Sequence, residues 1–115
     1  MEILTYELRI TTEEKFYEKV SSIVELQPER YKQGWSYEIV FEDRKEYYDI
    51  IAKLLDSLEG KYEELQKLGI VNNDISIWII YGYHNQCNME FEPKTLERLG
   101  KRGITLCISC YEAGE

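Results

Sequence analysis

The run at 75–83, Ile-Ser-Ile-Trp-Ile-Ile-Tyr-Gly-Tyr, constrains this chain more than any other stretch. It is apolar at odd and even positions alike and rich in β-branched and aromatic residues. A strand of that kind hides both faces, so it belongs inside a sheet rather than at its edge. It is also far too short to cross a bilayer.

The other segments build a sheet around it. Residues 3–10 place Leu4, Tyr6, Leu8 and Ile10 on one face. Residues 35–42 set Trp35, Tyr37, Ile39 and Phe41 against Ser36, Glu38, Val40 and Glu42, the alternation of a half-buried antiparallel strand. Cys87, Met89 and Phe91 alternate on a shorter predicted strand, and 104–111 is the last. Thr11-x-x-Glu14 reads as a capping box for a helix whose stripe is Phe16, Val20, Ile23 and Val24. Pro28 stops that helix or follows its end. Asp43 is the expected N-cap of the main helix, with Tyr47, Ile51, Leu54, Leu55, Leu58, Tyr62 and Leu65 on its apolar face. Gly60 offers a point where that helix divides in two, and Gly69 ends it. Pro93 opens a short helix with Leu96 and Leu99 as its buried pair.

The predicted order is β-α-β-α-β-β-α-β. This is an α+β fold with a mostly antiparallel sheet of about five strands and helices on one face. From the second strand onward the order is ferredoxin-like. The 115 residues suit a single domain with its own core. With 43% hydrophobic and 31% charged residues, the chain is too apolar for disorder.

Charge narrows the partners. With 22 acidic and 14 basic residues the net charge is -8. That field opposes nucleic acid and anionic membranes and suits a basic protein surface. Three cysteines cannot all pair within one chain, and no signal-peptide segment is visible, so a reduced cytoplasmic setting is expected.

The residues 91–100, Phe-Glu-Pro-Lys-Thr-Leu-Glu-Arg-Leu-Gly, lead into Gly103-Ile104 and a strand reaching Tyr111. Together with a loop from Pro28 through Gly34 to Trp35, and the Leu54, Leu55, Leu58 helix core, they resemble a bacterial family described only as domain of unknown function 4279. The resemblance covers most of the chain and carries no catalytic residues. It implies an immunity or accessory role of the kind small acidic bacterial proteins take.

No catalytic signature is complete. His84-x-x-Cys87 with Cys107-x-x-Cys110 formally fits a zinc set. If 107–110 is a strand, however, side chains three apart face opposite ways, and the cysteines read as small hydrophobes. No catalytic residue, cofactor site or metal site is therefore assigned. His84 has no nucleophile of known motif beside it. Glu42, Asp43, Glu46, Asp49, Asp56, Glu59 and Glu63 make an acidic face on the main helix, read either as a solvated surface or as a dock for a basic protein. Arg30, Tyr31 and Trp35 are residue types that dominate interfaces, though Trp35 also reads as core. The expected function is a non-catalytic protein-binding module, an immunity or inhibitor protein of a basic toxin. The alternatives are an aromatic-lined ligand pocket or enzyme using His84 or Cys87, and self-association as a homodimer through an edge strand.

Overall fold

A computed structural model describes residues 3–28, 34–42, 49–86 and 88–113. Its strands are β1 (Ile3–Ile10), β2 (Trp35–Glu42), β3 (Ile75–Tyr83) and β4 (Thr105–Glu112). Its helices are α1 (Tyr17–Val24), α2 (Ile50–Leu58), α3 (Tyr62–Lys67) and α4 (Pro93–Arg102). The fold is α+β around a mixed sheet in the order β2-β1-β3-β4. β1 is antiparallel to β2 and β3, while β3 and β4 run parallel. The parallel pair needs a crossover, which α4 supplies. β3 is an inner strand, as its two-sided apolarity requires.

Two expectations are corrected. The described residues form four strands rather than five, and the order is not ferredoxin-like. The segment read as a strand through Met89 and Phe91 has no regular structure at 88–92. Its alternation has another cause: Met89 and Phe91 pack against the core while Glu90 and Glu92 are exposed. β4 already occupies the side of β3 that does not face β1, so no ladder position remains there.

Tyr6, Leu8, Ile10, Ile75, Ile77 and Ile79 face the helices and are buried. Against them lie Val20 and Val24 of α1, Leu54, Leu55 and Leu58 of α2, Leu65 of α3 and Leu99 of α4. Each such side chain contributes about 1.5–3 kcal/mol by leaving water. The opposite sheet face, with Glu7, Arg9, Glu38, Val40, Trp78 and Ile80, contributes nothing to that core. There Glu7 is only 8% exposed. It accepts from Arg9 at 2.6 Å, and the Arg9 guanidinium lies 4.0 Å from the centre of the Trp78 ring.

The helix ends differ in detail from expectation. The expected cap Asp43 lies outside the described residues. Asp49 caps α2, accepting from the Ala52 N–H at 2.9 Å. Gly60, at φ 79°, separates α2 from α3, a left-handed turn that glycine adopts without a Cβ clash. The Thr11–Glu14 capping box does not form. The Thr11 N–H donates to the Asp74 carbonyl at 2.8 Å, and a 3-10 turn at Glu14–Phe16 precedes α1. In α4 the buried pair is Thr95 and Leu99, whereas Leu96 is 45% exposed. No helix among the described residues is long and apolar enough to cross a membrane.

Candidate functional site

The register of the sheet gathers aromatic residues at one end. Where β1 begins and β2 and β3 run out, Leu4, Phe41 and Tyr81 are neighbours across three strands, and Tyr6 and Ile79 lie one pleat further in. α2 and α4 both start beside this end, so neither covers it fully. The irregular segment at 88–92 crosses over it instead. The result is a cavity of about 430 Å³.

Its walls are the rings of Tyr6, Phe41, Tyr81 and Phe91, with Leu4, Ile79 and Met89 between them. Tyr6 and Phe41 meet edge to face, their centres 6.2 Å apart, an arrangement that fixes both rings. Among the described residues, the polar part of the lining comes from Asn88, Glu90 and Glu92 of this segment and from Tyr6 and Tyr81 of the sheet. The described residues lining the cavity include no Lys, Arg or His. A polar hollow formed by Tyr81, Asn85, Gln86 and Asn88 continues from the same region. A concave, mostly apolar site with a few polar groups is the form binding sites commonly take.

The floor beside the cavity is held by Asp49. Its Oδ2 accepts from the Thr95 hydroxyl at 2.5 Å while Oδ1 caps α2, so one carboxylate joins the starts of α2 and α4. Among the described residues no fully buried side-chain nitrogen or oxygen is left without a hydrogen-bond partner.

The residues singled out in the sequence do not gather here. Trp35 is 1% exposed and donates its indole N–H to the Ser21 hydroxyl oxygen at 2.9 Å, so it is core and out of a partner's reach. Asp49 acts in the cap just described. Asp56 pairs with Arg98 at 2.8 Å and Glu59 with Arg102 at 3.5 Å, so part of the acidic face is a seam to α4. Glu63 is exposed on α3, and Glu42 closes β2 opposite Ile3. Asp43, Glu46, Arg30, Tyr31 and Cys87 lie outside the described residues. Cys107 and Cys110 both lie in β4, in register with Trp78 and Tyr81, and so face opposite sides of the sheet. Among the described residues no three His, Cys, Asp or Glu side chains come together as a metal site would require. His84 follows β3 and is not among the residues lining the cavity.

The cavity residues were visible in sequence only as separate signals. Tyr6, Phe41 and Tyr81 each belong to a strand alternation, and nothing local says that their strands end together. Met89 and Phe91 gave a signal that read as a fifth strand.

Among the described residues, Tyr62 is the one titrating group with a clear perturbation. Burial pushes its phenol above the ordinary 10.0; the nearby Arg102 opposes that, Glu59 adds to it, and Arg98 opposes it. The Arg102 guanidinium lies 4.0 Å from the ring centre.

Comparison with curated proteins and with solved structures found no match. A family model described as a domain of unknown function, DUF4279, matches residues 2–113. With nearly the whole chain inside that match, the protein belongs to the DUF4279 family.

Proposed function

We propose that this protein is a non-catalytic, cytoplasmic binding module whose partner is a basic protein, as for an inhibitor or immunity protein. The observation that supports the reading is the cavity under Phe91, an aromatic recess whose lining includes the exposed acidic residues Glu90 and Glu92. Interfaces take most of their affinity from an aromatic anchor site screened from water. Complementary charge around it speeds encounter and selects partners. A net charge of -8 adds long-range attraction for a basic surface.

The test is capture from the native host at low salt by the wild type and by a Glu90→Lys/Glu92→Lys variant. A basic protein retained by the wild type, lost from the double variant and released as salt rises supports the reading. Equal capture by both proteins sinks it.

A second reading rests on the cavity's size. At about 430 Å³ it falls within the range of small-molecule sites, and the protein would then be a small-ligand binder.

A further inference from the structure

We infer that the cavity beneath Phe91 receives an organic cation, an ammonium or guanidinium group carried on an aliphatic stem. The inference rests on the reading of this cavity as the binding site and names the chemistry that it selects.

Three features of the lining converge on that class. The first is the rings. Tyr6, Phe41, Tyr81 and Phe91 bound one recess, and the faces of aromatic rings carry negative charge density that attracts a cation within about 6 Å. The second is the carboxylates. Glu90 and Glu92 are exposed residues of the segment that lines the recess, and carboxylates at its rim would attract a positive charge. The third is the apolar remainder, Leu4, Ile79 and Met89, which suits the methylene or methyl groups around the charge. An anion would face both carboxylates. The helix starts nearby do not reverse this, because Asp49 caps α2 and Glu92 stands at the N-cap of α4.

The main chain explains why the carboxylates are there. In the irregular segment at 88–92, Met89 and Phe91 pack against the core. Glu90 and Glu92, between and beyond them, are exposed, and both residues are part of the lining of the cavity. One short segment thus supplies an aromatic wall and the counter-charge.

The same chemistry has two sources, a free quaternary or primary amine and a Lys or Arg side chain of a protein partner. Calorimetry on the full chain separates them. The probes are choline, its neutral carbon isostere dimethylbutanol, the anionic tert-butylacetate, and the blocked amino acids acetyl-lysine amide and acetyl-arginine amide.

Choline is expected to bind about tenfold more tightly than the neutral isostere, the range of a cation on partly desolvated rings. The anion is expected to bind more weakly than either. Glu90→Gln and Glu92→Gln, both at exposed positions, should reduce choline binding several-fold while leaving the neutral probe unchanged. Phe91→Leu should reduce choline binding with the fold retained by circular dichroism. Binding of a blocked amino acid that choline displaces assigns the site to a protein side chain. Choline binding without it assigns the site to a free cation, and both results uphold the inference. Equal binding of choline and dimethylbutanol, preference for the anion, or no probe binding at all overturns it. Capture of a basic partner alongside any of those results leaves the binding-module reading standing and removes this one alone.

Discussion

Thr95 on α4 donates its hydroxyl to Asp49 Oδ2 at 2.5 Å, and the other oxygen of the same carboxylate caps α2. One side chain therefore fixes the relative position of the two helix starts that border the cavity. Thr95 is 4% exposed, so removing its hydroxyl leaves a partly buried carboxylate oxygen without that donor. Thr95→Val should cost about 1–2 kcal/mol, and Asp49→Ala about 2–3 kcal/mol because it also removes the cap. The double variant should cost less than the sum by at least about 0.5 kcal/mol. Urea denaturation of the four proteins gives that coupling, and strict additivity would show that the bond is idle.

A second buried bond joins Ser21 on α1 to Trp35 at the start of β2, with the indole N–H donating at 2.9 Å. Ser21→Ala should destabilise by about 1–3 kcal/mol, because the indole N–H is left in the core without an acceptor. In a Trp35→Phe background the same change should cost much less. An unchanged cost there would mean that Ser21 acts by packing alone.

The strands were legible where pattern and burial coincide. Residues 3–10, 35–42 and 75–83 read correctly because each has a face or a pair of faces that must be dry. The β2-β1-β3-β4 order was not legible, since alternation gives a strand's face and not its neighbour. Met89 and Phe91 show the limit most directly. Two residues spaced by two pack inward equally well from a ladder or from an irregular crossing, and only the occupied flanks of β3 decide between them. The ion pairs of the acidic helix face were not legible for a different reason. Its ion partners, Arg98 and Arg102, lie more than forty residues further along the chain, at separations of 42 and 43.

That seam yields a prediction about where a partner docks. Asp56 and Glu59 already have cationic partners across the helix interface. Asp56→Asn and Glu59→Gln should each shift stability by less than about 1 kcal/mol, as exposed ion pairs do. They should also change capture of a basic partner less than Glu90→Lys/Glu92→Lys does. Parallel capture with matched protein amounts makes the comparison, and a greater loss at α2 would move the docking surface there.

Gly82 and Tyr111 are neighbours across β3 and β4. A Cβ placed on Gly82 would stand 2.6 Å from the Tyr111 hydroxyl oxygen and 2.7 Å from Cζ, so the ring lies over the glycine. A ring over a strand glycine covers backbone that would otherwise lack a side chain. Gly82→Ala should displace Tyr111, which at 47% exposure has room to swing away, at a cost of about 1–2 kcal/mol. In a Tyr111→Ala background Gly82→Ala should be nearly neutral. Thermal denaturation of the single and double variants tests this, and an equal cost in both backgrounds would place the constraint in the backbone.

The buried phenol of Tyr62 makes stability depend on alkaline pH. Its folded value lies above the ordinary 10.0, chiefly because burial disfavours the phenolate, with Arg102 opposing, Glu59 reinforcing and Arg98 opposing that shift. The unfolded chain therefore loses this proton first as pH rises. Below about pH 10 the stabilisation from the neutral buried phenol is fully present. It is lost as pH climbs from that value through the higher folded value. Tyr62→Phe keeps the ring beneath Arg102 and removes the proton. The stability difference between wild type and Tyr62→Phe should hold steady from about pH 7 to about pH 9, then move against the wild type as pH approaches about 11. Because the other tyrosines are common to both proteins, the difference isolates Tyr62. Urea midpoints across that range give the curve, and a pH-independent difference would mean that the folded protein holds this phenol as water does.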